Sequence, residues 1–392
     1  MMINNLLKFD VCILGAGITG LTCAVTLLQK GLKVVLLEKE NTISNASNNN
    51  AGQIVPGFAI DEPSLLALTS QNYCQRLWSL TYKGIETIKR TLLANQFPVE
   101  LKKNSYMYLT NHENVNQLLI QWEKYRSLYN PEKKMQYISG DKVNSQLCTN
   151  YFVGGLKETD CYVMDSSLYL QNLVTNVRKL GGVIKYSIPN LNLSYLKRNS
   201  NNVKIRINHH KSVLARYLVI ATNGQLNYST PLNFMNAYLF RTAPVAHIDL
   251  IPNYAFSILS SKNYLHYCRY LEDKSFLFCC KSLPFNYTSR ELIKLFSREM
   301  LAIFPYLKGI NIRQFSSSII ALTKTRFPEI GKISEYVYYA QGYSGRGLVL
   351  GTLFGKIIAD AILGNTEDFN CFLNMNNSQG GTDERLLFTH SS

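Results

Sequence analysis

Although nine cysteines are spread along the chain, no two form a CxxC pair and none falls in a Cys/His cluster. A zinc or dithiol redox centre is therefore not expected. Cys12 and Cys23 lie inside the first glycine-rich unit, where a disulfide would be disruptive, so the cysteines read as reduced thiols. Also absent is any apolar run approaching the roughly 18 residues of a membrane span. The opening MMINNLLKFD has neither a long apolar core nor a small-residue cleavage site. The expectation is a cytoplasmic protein with no membrane span. No repeat with a period of about 20 to 50 residues occurs, which excludes solenoids and propellers. Negative charge is scarce: 26 Asp and Glu face 41 Lys and Arg, a formal net charge of +15. Such a surplus can mark a nucleic-acid surface. Here the lysines are dispersed and the chain is rich in Asn, Lys, Ile and Tyr throughout, so no nucleic-acid partner is expected. The remaining balance, 46% hydrophobic and 17% charged over 392 residues, suits a globular protein of two domains or one domain interrupted by another.

The most informative stretch is Asp10 to Gly20 (DVCILGAGITG). Val11 to Leu14 has the short apolar run of a buried parallel strand, Ile18 to Gln29 has helical spacing closed by Gly31, and Lys33 to Glu38 reads as the next strand. Gly15 permits a tight turn, Gly17 lets the backbone approach a pyrophosphate, and Gly20 allows close packing of helix on strand. With Ala16, Ile18 and Thr19 they form a dinucleotide cradle at the positive end of a helix. Glu38, followed by Lys39, stands where an acid accepts hydrogen bonds from ribose hydroxyls, which disfavours a 2′-phosphate and hence NADP.

Beyond Glu38 an Asn-rich loop (41–50) leads to Ala51-Gly52-Gln53-Ile-Val-Pro-Gly57. Helical spacing recurs at 64–95, 112–129, 166–180 and 289–303. Strands are expected at 183–188, 202–208 and 212–224, the last ending in the small-residue turn Ala221-Thr222-Asn-Gly224. Alternation over 237–282 predicts a largely antiparallel second sheet. A strand at 336–340 then enters a further glycine turn, Gly342-Tyr343-Ser-Gly345-Arg346-Gly347, which opens a helix from Leu348 to Leu363. The fold class is thus α/β, a Rossmann-like nucleotide domain at 1–60, 141–230 and 315–392 with an inserted α+β substrate domain at 61–140 and 231–314.

These glycine blocks together resemble the glycine oxidase and D-amino-acid oxidase superfamily of FAD-dependent enzymes, and within it the γ-glutamylputrescine oxidase family. The run Asn45-Ala46-Ser47-Asn48-Asn49-Asn50-Ala51-Gly52-Gln53 matches the family loop Gly-Ala-Ser-Gly-Arg-Asn-Gly-Gly-Gln without a gap. Tyr338 to Gly347 (YYAQGYSGRG) is similar to its Tyr-Tyr-x-Gln-Gly-Tyr-Ser-Gly-His-Gly. Tyr267, Arg269 and Asp273 fall on its Tyr-Tyr-Arg and Asp, and the likeness runs from about residue 9 to residue 373. Three departures stand out: Asn49 for an arginine, Arg346 for the histidine, and Cys279-Cys280 for Gly-Gly.

The resemblance implies a glutathione-reductase-type FAD domain in which Ala46, Ser47, Asn50, Gly52, Gln53, Ala221, Thr222, Gly342, Gly345, Arg346, Gly347 and Leu348 join the cradle. It implies oxidation of a small amine by hydride transfer to flavin, electrons passing to oxygen or another acceptor, with Tyr267, Arg269 and Tyr343 as catalytic candidates. For Tyr267 and Arg269 the competing reading is a cross-strand pair on a sheet face. Arg326 stands either beside the flavin or in a turn. His247 and His266 read as ordinary sheet residues. Related sarcosine oxidases tether their flavin through a cysteine in the region of Ile319 to Thr325. No Cys or His occurs there, so non-covalent FAD is expected. Amino-acid oxidases place a carboxylate-binding arginine in that region, where this chain has Ile320. An amine whose acid group lies far from the reacting carbon fits an isoleucine better. The alternatives are a D-amino-acid or glycine oxidase or dehydrogenase, and a degenerate flavoprotein that binds without catalysis. Oligomeric state is left open.

Overall fold

The computed structural model describes residues 5–42, 45–129, 135–188, 196–199, 202–207, 211–226, 231–245, 255–259, 265–282 and 287–377. Two sheets organise them. In the first, Val337–Gln341, Lys211–Ile220, Asn5–Leu14, Val34–Leu37 and Val183–Lys185 lie side by side, all parallel. Glu329–Ser334 pairs antiparallel at one edge, and Asn202–Arg206 runs antiparallel beside Lys211–Ile220. The central strands are apolar and buried on both faces, as a parallel sheet covered by helices requires. One cover is Ile18–Leu28, with Gly347–Ile362 packed directly on it. Gly355 makes that approach possible, because a Cβ there would stand 2.4 Å from the Thr19 carbonyl oxygen.

The second sheet runs Ile312–Leu322, Asn233–Pro244, Ser275–Ser282, Leu265–Tyr270, Ala255–Leu259, Lys102–Thr110, Gly154–Val163, Gln53–Ile54. It is antiparallel except for the parallel pair Ala255–Leu259 and Lys102–Thr110. Its outer face is covered by the amphipathic helix Ser289–Ile303, which begins in a capping box between Thr288 and Glu291. Its other face looks towards the nucleotide sheet.

Gly154–Val163 and Ile312–Leu322, far apart in the chain, are both ladder members of the second sheet. Helices Glu62–Leu68 and Gln71–Ala94 bury Leu65, Leu77, Trp78 and Ile85 in the apolar cluster around Ile18–Leu28 and Gly347–Ile362. Strand pairing and helix burial are thus decided by partners distant in the chain. Among the described residues no single helix is long and apolar enough to cross a membrane. Gly347–Ile362 and Glu367–Leu373 pass only as a pair, bent by 117°. His247 lies outside the described residues.

Candidate active site

The three glycine turns, about 200 and 120 residues apart in sequence, meet at one cavity of about 430 Å³. Its floor is the turn from Asn5–Leu14 into Ile18–Leu28. Gly15 has a φ of 97°, and a side chain there would stand 2.5 Å from the Ala221 carbonyl oxygen. A Cβ on Gly20 would be 2.1 Å from the Gly15 carbonyl oxygen, the close packing its place in the motif calls for. The Ala221 amide donates to the Leu14 carbonyl at 2.9 Å, which ties the second turn to the first. The third turn is held at both ends. The Ser344 amide donates to the Ala321 carbonyl at 3.2 Å, and the Tyr343 and Thr19 hydroxyls lie 2.7 Å apart.

Two helix N-termini open into this space. Neither Gly17, ahead of Ile18–Leu28, nor Arg346, ahead of Gly347–Ile362, offers a side-chain cap, and neither first turn carries an acid. The helix ends therefore present positive charge to whatever fills the cavity. At the far end Glu38 is fixed by the Ala16 amide, which donates to its Oε2 at 2.7 Å, and by the Glu40 amide, which donates to Oε1 at 3.1 Å. A carboxylate retains acceptor capacity beyond two such bonds. The loop at 46–53 forms the side wall. Ser47 Oγ accepts from the Ile18 amide at 3.2 Å, while Asn50 donates to the Ser47 carbonyl at 2.7 Å and accepts from the Gly52 amide at 2.8 Å. The Thr222 hydroxyl, also in the wall, is buried without a hydrogen-bond partner. A hydroxyl orphaned beside two uncapped helix ends and a strand-end acid fits a bound dinucleotide.

Most of the expected cofactor residues line this cavity: Gly15, Gly17, Ile18, Thr19, Glu38 and Lys39 from the first turn, Ala46, Ser47, Asn50 and Gln53 from the loop, and Ala221, Thr222, Gly345, Arg346, Gly347 and Leu348 from the later turns. Ala16, Gly20, Gly52 and Gly342 stand behind its surface and shape the turns from within. Tyr267 is in the wall; Tyr343 is too, but its hydroxyl is engaged by Thr19 within the cradle. Arg269 is outside it: buried, it donates from Nη2 to the Met164 carbonyl at 3.2 Å, and burial pulls its pKa down to about 10. Arg326 lies exposed in a turn with a φ of 64°, also away from the cavity.

The wall facing the cradle is built by the second sheet. Ser317, Ser318, Ile319, Ile320 and Ala321 come from one strand, Asn236 and Ala237 from its neighbour and Cys279 from the next. Here Arg346 is the notable charge. Its Nη2 donates to the Tyr108 hydroxyl at 2.8 Å, and its guanidinium lies 5.7 and 5.6 Å from the Tyr106 and Tyr108 ring centres. Burial works against its charge, yet Tyr108, Tyr106 and Tyr267 together hold its pKa above the ordinary arginine value. Tyr108 in turn donates to Glu158 at 3.3 Å, Arg126 donates to Glu158 at 3.1 Å, and Arg126 also binds Glu62, with Nε at 2.8 Å. Arg346 and Arg126 are thus balanced by Glu158 and Glu62 in a buried chain leading away from the cavity.

A parallel nucleotide sheet and an antiparallel sheet enclosing one anion-receptive cavity define a flavoprotein oxidoreductase. The family model of the FAD dependent oxidoreductases (DAO) matches residues 10–361, and the chain belongs to that family. Probable oxidoreductase OrdL of Haemophilus influenzae is 26% identical over 375 residues, 93% of this chain and 85% of that protein. Gamma-glutamylputrescine oxidoreductase of Escherichia coli is 25% identical over 405 residues, 99% of this chain and 92% of that protein. Among solved structures, glycine oxidase from Bacillus cereus superposes with a TM-score of 0.74 at 16% identity, covering 93% of this chain and 97% of that one.

Proposed function

We propose that this FAD-dependent enzyme oxidises the CH–NH group of a small amine whose acid group lies far from the reacting carbon, a γ-glutamylputrescine-like substrate. Amine, water and acceptor give an aldehyde, ammonia and the reduced acceptor, which is hydrogen peroxide when oxygen takes the electrons. On this reading the enzyme serves polyamine breakdown in the cytoplasm. When bound, FAD supplies the hydride acceptor. The chain's own residues hold and orient. The amides of Gly17 and Thr19 would take the pyrophosphate and Glu38 the ribose hydroxyls. The amides of Gly345, Gly347 and Leu348, at the start of a helix, would stabilise negative charge on the ring system. Tyr267 would orient the amine from the sheet side.

The observation that carries this reading is Ile320. It lies in the cavity wall, on the strand where an amino-acid oxidase would be expected to present a carboxylate-binding arginine. A second reading, a D-amino-acid or glycine oxidase or dehydrogenase, draws support from Arg346, a guanidinium of the third glycine turn that lines the same cavity. Anaerobic addition of amines to the purified yellow protein separates them. Bleaching of the flavin band by γ-glutamylputrescine, but not by D-alanine or glycine, is the expected result, and the reverse pattern favours the second reading. A protein that binds flavin but is bleached by none of these would be a degenerate homologue.

A further inference from the structure

On the outer face of the second sheet, away from the flavin cavity, three side chains that have no place in an apolar layer come together. His266 and Cys280 are directly opposite each other on the paired strands Leu265–Tyr270 and Ser275–Ser282. Glu299 descends on them from helix Ser289–Ile303, on the stripe that buries Phe296, Met300 and Ile303. Their ligating atoms all lie within 4.8 Å of one another. Around them the layer is apolar, with Phe278 stacked on the His266 ring at 5.0 Å between centres.

Two atoms of this group are orphaned. His266 Nδ1 and Glu299 Oε2 are sealed from solvent and have no hydrogen-bond partner. His266 Nε2 stands 3.6 Å from Glu299 Oε2, too far for a hydrogen bond. That separation is close to the ~3.4 Å between two ligands on one tetrahedral ion with metal–N and metal–O bonds of about 2.1 Å. Buried unsatisfied polar atoms are uncommon, and an ion held by His266 Nε2 would give Glu299 Oε2 the partner it lacks. A cation satisfies the charge as well: one thiolate and one carboxylate neutralise a divalent ion, while the imidazole adds a neutral donor.

We propose that His266, Cys280 and Glu299 bind a divalent transition-metal ion, zinc by the N, S and O character of its ligands, with water in a fourth position. Binding releases the Cys280 proton to solvent. The ion pins helix Ser289–Ile303 to the second sheet, so its role is structural and lies outside the redox site.

The test uses the FAD-bound protein. After stripping with a chelator, zinc(II) alone is titrated back while bound metal and melting temperature are followed. The expected result is one zinc per chain, a higher melting temperature on rebinding, and at least a tenfold loss of affinity in each of Cys280→Ser, His266→Asn and Glu299→Gln. Glu299→Gln, partly exposed on its helix, guards against loss of fold in the two strand variants. Cobalt(II) in place of zinc should show tetrahedral d–d absorption beyond the flavin bands that disappears in Cys280→Ser. Failure to hold zinc at micromolar concentration, or equal affinity in wild type and all three variants, would overturn the proposal. Flavin bleaching by amines is read independently, so failure of the redox assignment leaves this result standing.

Discussion

Arg126 holds two buried carboxylates, Glu62 and Glu158, and also lies 3.5 Å from the Trp78 ring centre. Replacing it with methionine leaves both acids without their cation in the interior, at a cost of about 3–5 kcal/mol by urea denaturation. The loss depends on pH. Burial already holds the Glu158 pKa above the ordinary carboxylate range, and removing Arg126 raises it further. A carboxylate whose folded pKa is raised gives its full stability below the unfolded pKa and loses it as pH rises through the folded one. The Arg126→Met deficit should therefore be smaller at about pH 5 than at about pH 8. A deficit that grows on acidification would contradict this chain of buried charge. Arg346 is tested through kinetics instead. If the acid group of the substrate meets this guanidinium, Arg346→Met raises KM about 10-fold with a smaller change in kcat. An unchanged KM would mean that the guanidinium serves Tyr108 and Glu158 alone.

Among the elements, the two helices that frame the cavity are the most sensitive to volume. On Gly355 of Gly347–Ile362 a Cβ would meet the Thr19 carbonyl oxygen at 2.4 Å and the Thr22 Cβ at 3.0 Å. Gly355→Val should push the helices apart, cost about 1–3 kcal/mol, and weaken FAD binding, because both cradle N-termini move. Fluorescence titration of the stripped protein with FAD measures the second effect, and unchanged affinity would show that the helix ends do not grip the cofactor. These helices were legible because their signals are local: a strand, glycines at fixed spacing and a periodic apolar stripe within about 30 residues. The facing wall was not. Asn236, Ser317 and Ser318 reach the cavity through the register of Asn233–Pro244 with Ile312–Leu322, and no local pattern encodes that pairing. The partner of Arg269 is set in the same way. Its spacing from Tyr267 puts both on one face of a strand, but only the packed structure turns its guanidinium to the Met164 carbonyl. The juxtaposition of His266, Cys280 and Glu299 was likewise invisible to a search for metal-ligand spacing along the chain.

Across the whole molecule the cavity lies where two sheets meet, and single hydrogen bonds join its walls, among them Ser344 to Ala321 and Arg346 to Tyr108. Asn223 donates to the Ile319 carbonyl at 3.0 Å, and Ser318 donates to the Asn49 carbonyl at 3.4 Å. A dinucleotide that touches the first, second and third glycine turns and the sheet wall together adds contacts that only the folded chain can make. It therefore stabilises the folded state by about 2.7 kcal/mol when free FAD is 100 times its dissociation constant. Two outcomes follow for the intact protein. Removing flavin should lower the melting temperature, and adding FAD should restore it in a concentration-dependent manner. Since Ile319 to Thr325 offers no cysteine or histidine to the ring, acid precipitation should release all the yellow colour into the supernatant. Flavin retained in the pellet would require a covalent link elsewhere in the wall, with Cys279 the first residue to examine by peptide mapping.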